Sequence, residues 1–178
     1  MYALKDYIGE DSLNTALSRY IDAVGFQEGP YTTSREFLSY VRDVTPDSLQ
    51  YIVDDMFEYI TLYENHVEEA TYAVNADSQY VVNLTFAAKK MRADSLGNEN
   101  EIPFEDWIDV GVFANQEVDG EEEEVVLYLQ KHKITEGDNE IELVLDQKPE
   151  RAGIDPYNKL IDRDSGDNID NVTEADEP

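Results

Sequence analysis

Tyr80-Val81-Val82-Asn83-Leu84-Thr85-Phe86-Ala87 places Tyr80, Val82, Leu84 and Phe86 in alternation with Val81, Asn83, Thr85 and Ala87. One face is strongly apolar and the other mixed, as a half-buried β-strand requires. Working outward toward the C-terminus, residues 107–117 and 124–134 read as two further strands, joined by a loop that holds Asp119-Gly120 and the Glu121 to Glu124 run. A second turn, Glu136-Gly137-Asp138-Asn139, leads into Ile141, Leu143 and Leu145. Turn signals at this spacing predict a small antiparallel sandwich of the immunoglobulin-like kind.

Toward the N-terminus the period is helical. Met1 to Ile8 (MYALKDYI) reads as the last turns of an amphipathic helix that stops at Gly9, so the chain is expected to begin inside an element and to be part of a longer protein. Asp11 or Ser12 is the expected cap of a helix whose apolar stripe is Leu13, Ala16, Leu17, Tyr20, Ile21 and Val24, ending at Gly25. Thr33 to Glu36 forms a capping box ahead of Phe37, Leu38, Tyr40 and Val41. Thr45, Pro46 and Asp47 then open a last helix, with Leu49, Ile52, Val53, Met56, Phe57 and Ile60 on one face. Leu49, Ile52, Val53, Met56 and Phe57 are the expected seam of this helical part against its neighbour.

The predicted class is therefore α+β: a truncated helix and three full ones over residues 1–65, a β-sandwich over 66–161, and a tail over 162–178. Arg151 to Ile161 (RAGIDPYNKLI) retains apolar residues and is expected to pack on the sandwich. The tail holds seven acidic residues and one arginine with little to bury, which predicts disorder.

Composition narrows function mainly by exclusion. With 41 acidic against 13 basic residues and a formal charge of -28, the chain is poorly suited to nucleic acid, whose phosphates are held by Lys and Arg. The absence of cysteine excludes thiolate catalysis, disulfides and zinc-thiolate sites. No run approaches the ~18 apolar residues of a membrane helix.

Histidine occurs only at His66 and His132, and neither stands in HExxH, the spacing that sets two zinc ligands on one helix face. There is no phosphate-cradling glycine loop and no GxSxG elbow. Asp54-Asp55 and Glu68-Glu69 are sequence neighbours, so their side chains diverge on a regular helix or strand and do not form a general acid/base pair. Asp162 to Asp170 has the composition of a calcium loop, yet the glycine is fifth where the EF-hand pattern has it sixth, and position twelve is Thr173. The basic cluster Lys89, Lys90 and Arg92 interrupts the acidity and reads either as a surface for an acidic partner or as a strand end balancing nearby carboxylates, the latter being expected. No catalytic, cofactor-binding or metal-ligating residue is assigned.

The strings MYALKDYIGEDSLNTALSRYI and PYTTSREFLSYVRDVTPDSLQYIVDDMF resemble the closing helices of the catalytic domain in aminopeptidase N-type zinc metallopeptidases. The signals are Ile8-Gly9-Glu10, Thr32-Thr33-Ser34 and the Phe57 to Val67 transition. DWIDVGVF at 106–113 and AGIDPYNKLIDR at 152–163 look especially like bacterial members in which the peptidase follows a multi-span, ABC-transporter-type permease region. The resemblance covers about residues 1–163, without the family's usual Trp and Gly-Pro signals at the entry to the sandwich. It implies that the zinc helix, the third zinc ligand and the catalytic tyrosine lie upstream of Met1, so none is carried onto this sequence.

The implied function is that of a non-catalytic C-terminal region supporting an upstream metallopeptidase site. Zinc and a peptide substrate belong to the parent, the partner is the upstream domain of the same chain, and the membrane is met only through the parent's bacterial membrane region, the fragment itself being soluble. An independent binding or adhesion module, with a helical cap and Tyr-rich sandwich loops, is the alternative. Calcium-dependent stabilisation through the acidic loops is a third.

Overall fold

The computed structural model describes residues 1–118 and 120–175. The chain is α+β and separates into two compact units, Met1–Thr61 and Leu62–Pro178. Among the described residues no helix is long and apolar enough to cross a membrane.

In the first unit α1 (Tyr2–Ile8) buries Leu4 and Ile8 and ends at Gly9, whose φ of 86° lies in the left-handed region that glycine adopts freely. The same glycine caps α2 (Glu10–Val24) through its carbonyl, which accepts from the Leu13 N–H at 3.2 Å. There is no room for a separate cap, so Asp11 and Ser12 both sit inside the first turn, where the Asp11 carboxylate compensates the helix dipole. Leu13 and Ala16 are buried, whereas Ile21, on the far edge of the predicted stripe, is exposed. Tyr20 packs edge-on against Phe37 and Tyr40 of α3 (Ser34–Val44).

Thr33 caps α3 as read from the sequence, its hydroxyl accepting the Glu36 N–H at 3.3 Å. The reciprocal half of the box is diverted: the Glu36 carboxylate takes the Thr32 hydroxyl at 2.7 Å. The last helix is not one regular α-helix. A 3₁₀ turn (Asp47–Leu49), a single α turn α4 (Gln50–Val53) and a π turn (Asp54–Glu58) succeed one another, and Thr45 does not cap them because its hydroxyl donates back to the Val41 carbonyl at 2.7 Å. Arg42 ties α3 to this segment through Gln50 at 3.2 Å and Glu58 at 2.8 Å, and also bonds Asp54.

Ile52 and Val53 belong to the unit's own core with Leu4, Ala16 and Val41, and Leu49 and Met56 pack against it. These four are therefore used internally, while Phe57 stays exposed.

The second unit holds two sheets. One has β3 (Glu99–Ile102), β2 (Tyr80–Ala93), β1 (Ile60–Val74) and β9 (Thr173–Glu174) in that order, with β6 (Gly137–Leu145) also on β2. The other runs β5 (Glu121–Thr135), β4 (Glu105–Val118), β7 (Arg151–Ile154), β8 (Ile169–Asn171). β2 pairs antiparallel with β3 and β6, β4 with β5 and β7, and β7 with β8, whereas β9, and a lone bridge from Tyr63 to Asp162, run parallel to β1. Leu84, Phe86 and Ala88 meet Ile108, Val110, Val112 and Ile134 in the core.

Ala152, Ile154 and Leu160 lie in that core too, as expected for the RAGIDPYNKLI piece. The strand β1 starts at Ile60, upstream of residue 66, the predicted start of the sandwich. Its buried positions, Thr61, Tyr63, Asn65, Ala70 and Tyr72, shift phase midway and include a hydroxyl and an amide, so no clean alternation marks it.

The expectation of a disordered tail does not hold for residues 162–175. This segment supplies β8 and β9, and the Asn168 side chain is wholly buried. Backbone pairing orders it where side chains offered little to bury: Asp167 O accepts from Val67 N at 2.9 Å, and Asn168 O from Ile154 N at 2.9 Å. Residues 176–178 of the predicted tail, and Asp119 of the predicted loop, lie outside the described residues.

Candidate functional site

The period that sends Leu84 and Phe86 inward also carries Ala88 and Lys90 inward, so one of the three residues read as a surface basic cluster is buried. On β4 the inward set is Asp106, Ile108, Val110 and Val112. Lys90 Nζ donates to Asp106 at 2.7 Å, and the Tyr63 hydroxyl donates to the same carboxylate at 2.9 Å. Lys90 also stands 5.5 Å from the centre of the Tyr63 ring. Lys89, one residue out of phase, is exposed.

A second buried carboxylate lies on the opposite face of β4. Asp109 accepts from Lys131 at 2.9 Å and from Lys159 at 2.7 Å. This face is covered by the turn Asp155 to Leu160, which follows β7 directly. Pro156 approaches Gly111 so closely that a Cβ there would meet its ring at 2.9 Å, and Tyr157 packs edge-on against Phe113. Asp155 holds the turn: its carboxylate accepts the Lys159 and Leu160 N–H groups at 3.0 and 2.9 Å, and its own N–H donates to Asp109 O at 2.7 Å. Burial pushes the Asp155 carboxyl up to about 6, against the two backbone hydrogen bonds, which favour the charged form.

The structure thus brings together the strings DWIDVGVF and AGIDPYNKLIDR, which are far apart in sequence. They form neighbouring strands, with Val110 opposite Ile154 and Gly111 opposite Gly153. From Asp155 onward the chain passes to the β1 edge at Asp162, returns to β7 as β8, and reaches β1 again as β9. It therefore fastens one sheet to the other.

The remaining sequence candidates stay apart. His66 is half exposed, 3.9 Å from Glu68. His132 shares a 2.7 Å hydrogen bond with the Tyr128 hydroxyl, and burial lowers its pKa. Asp54 and Asp55 diverge, the first to Arg42 and the second to the Thr61 hydroxyl at 3.2 Å. Among the described residues no group of three or more His, Asp or Glu side chains is arranged to hold a metal.

Two clefts remain. One, of about 600 Å³ in the helical unit, is lined by Arg35, Leu38, Arg42 and Phe57 among others. The other, of about 250 Å³ in the β unit, lies between β1 and the Asp162 to Asp167 loop. The inward Lys90 and Asp106 were findable from sequence as charged residues in phase with apolar ones, whereas Asp109 carried no such signal. No family model, curated protein or solved structure matches this chain.

Proposed function

We propose that the chain is a non-catalytic C-terminal region of a zinc aminopeptidase-like protein, of the bacterial kind linked to an ABC-transporter-type permease region. In the membrane-located parent it would buttress an upstream metallopeptidase domain of the same chain, which takes the peptide substrate. The observation that carries this reading is the pairing of DWIDVGVF with AGIDPYNKLIDR in one sheet, where Asp106 and Asp109 have their charges matched by lysines. Such carboxylates serve architecture, since groups already neutralised by fixed partners are poor general acids or bases. Helices followed by a two-sheet unit, in that order, also fit the resemblance.

The test compares the 178-residue chain with the gene product that includes upstream sequence. Turnover of an aminoacyl substrate and stoichiometric zinc are expected only when an upstream HExxH segment is present. Turnover with bound zinc by the chain alone would overturn the reading.

The alternative, an independent binding module, draws on the exposed aromatics Tyr2, Phe26 and Tyr31. These lie in the helical unit; in the β unit Tyr63 and Tyr72 are buried and Tyr157 is 45% exposed, so recognition by Tyr-rich sandwich loops has less support than contact through helices. An upstream sequence without HExxH would favour the module.

A further inference from the structure

The strand β5 stands at the end of its sheet, and among the described residues β4 is its only strand neighbour. At 15 residues it is long for an open edge, and no proline interrupts it. Its charge is divided by position: Glu121 to Glu124 open the strand, while Lys131 and Lys133 lie near its end. Val126, between them, is 50% exposed.

The register against β4 sorts these residues by face. Trp107, Asp109 and Gly111 stand opposite Lys133, Lys131 and Leu129, whereas Phe113, Asn115 and Glu117 stand opposite Val126, Glu124 and Glu122. Leu127 is the extra residue of a bulge, and it moves the even-numbered glutamates onto the face of the odd-numbered lysines. These six β5 residues therefore share the face that carries Asp109, and with it one direction of main-chain hydrogen bonding. Lys131 is held by Asp109 at 2.9 Å and Glu124 by Arg151 at 2.8 Å. Lys133 meets Glu105 at 2.8 Å in a surface pair of two exposed side chains, which contributes little and leaves the lysine able to turn to another carboxylate.

We propose that β5 is a self-pairing edge, to which the β5 of a second copy of this chain adds antiparallel about a two-fold axis, joining the two sheets into one. The inference does not rest on the peptidase reading. Pairing like face with like face sets Glu122 against Lys133, Glu124 against Lys131 and Val126 against Leu129 of the second copy, and symmetry makes each pair occur twice. A slip of two residues either way keeps only one of the two Glu–Lys pairs, so charge fixes the register. Main-chain hydrogen bonds along the open edge supply the attraction, as in other strand additions. The strand β6 has no such pattern: it carries only acidic charge, at Asp138, Glu140 and Glu142, so two copies of it would oppose like charges. A formal charge of -28 repels a second copy at long range, but at physiological salt the screening length is about 8 Å and groups at the seam dominate.

The experiment is sedimentation equilibrium of the full 178-residue chain up to about 1 mM in about 0.15 M salt, with amide chemical shifts followed on dilution. The mass should rise from 20.3 kDa toward twice that value in one monomer–dimer step, and the shifts that move with concentration should lie on β5 and the β4 residues beside it. Lys133→Glu and Glu122→Lys should each weaken the dimer at least about tenfold, since each sets like charges opposite one another twice. An equimolar mixture of the two variants restores opposite charges at both places and should associate within about twofold of wild type. If a variant fails to fold, the concentration dependence of the wild-type shifts decides by itself. A mass that stays at 20.3 kDa throughout, shifts that move elsewhere than β5, or a mixture that associates no more tightly than either variant alone would overturn the proposal.

Discussion

Lys90 Nζ lies 2.7 Å from the Asp106 carboxylate inside the β unit, with the two side chains only 4% and 7% exposed. Removing one member leaves the other charge buried without compensation, so Asp106→Ala should cost about 3–5 kcal/mol. Replacing the whole group, as Lys90→Met, Asp106→Leu and Tyr63→Phe together, should recover stability to within about 1 kcal/mol of the parent, because no orphan donor is then left behind. Urea unfolding followed by the fluorescence of Trp107, the single tryptophan, reports this unit. A loss under about 1 kcal/mol for Asp106→Ala would mean that water reaches the pair.

Asp155 gives a pH dependence of unusual sign for an acid. Its carboxyl is raised from 3.8 to about 6 in the folded chain, so the native state holds a proton that the unfolded state has already lost between those values. Stability from this group is therefore present at low pH and declines as pH rises through about 4 to 6, reaching a penalty of about 3 kcal/mol that stays constant above. Acidification also relieves general acidic repulsion, so the comparison is with Asp155→Asn. The wild-type chain should lose stability relative to the variant by about 2–3 kcal/mol between pH 4.5 and 7.5. Parallel curves for the two chains would show that Asp155 titrates normally.

These two acids also show what the sequence could and could not reveal. The long strands β2, β4 and β5 were legible because Val82, Leu84 and Phe86, or Ile108, Val110 and Val112, repeat with period two. Extending that phase reaches Lys90 and Asp106, so the buried pair was encoded in the same signal, though charge argued for the surface. Asp109 and Asp155 were not legible: they are buried by a turn folding over β4, through contacts from Asp109 to Asp155 and to Lys159, 50 residues away, that no local pattern encodes. The segment after Asp162 misled for the reverse reason. Its composition is that of a solvated chain, but its order comes from main-chain bonds to Val67 and Ile154, to which composition is blind.

Gly153 should be the least replaceable glycine. A Cβ there would stand 2.0 Å from the Asn168 carbonyl oxygen and 2.7 Å from the Ile169 Cα, both main-chain atoms that cannot move aside without breaking the β7 to β8 pairing. Gly153→Ala should therefore cost at least about 2–3 kcal/mol, the upper range for overpacking. Gly97 is the control: its φ is 84° but nothing lies within 4 Å, so Gly97→Ala meets only left-handed strain of about 1–2 kcal/mol. Denaturation midpoints for the two variants should rank in that order. Equal losses would show that β8 shifts away freely.

The Thr33 cap tests the helical unit separately. Thr33→Ala removes the acceptor for the Glu36 N–H and should cost about 1 kcal/mol, while Thr33→Ser keeps it and should be near neutral. In a complete capping box Glu36→Gln would retain most of the reciprocal bond, but here the Glu36 carboxylate is spent on the Thr32 hydroxyl, which in turn accepts from Tyr20 at 3.1 Å. Glu36→Ala should accordingly loosen the Tyr20 contact more than the first turn of α3. Amide exchange separates these effects: Thr33→Ala should speed exchange at Glu36, and Glu36→Ala should leave Thr33 unchanged. Faster exchange at Thr33 in Glu36→Ala would restore the reciprocal box that the sequence suggested.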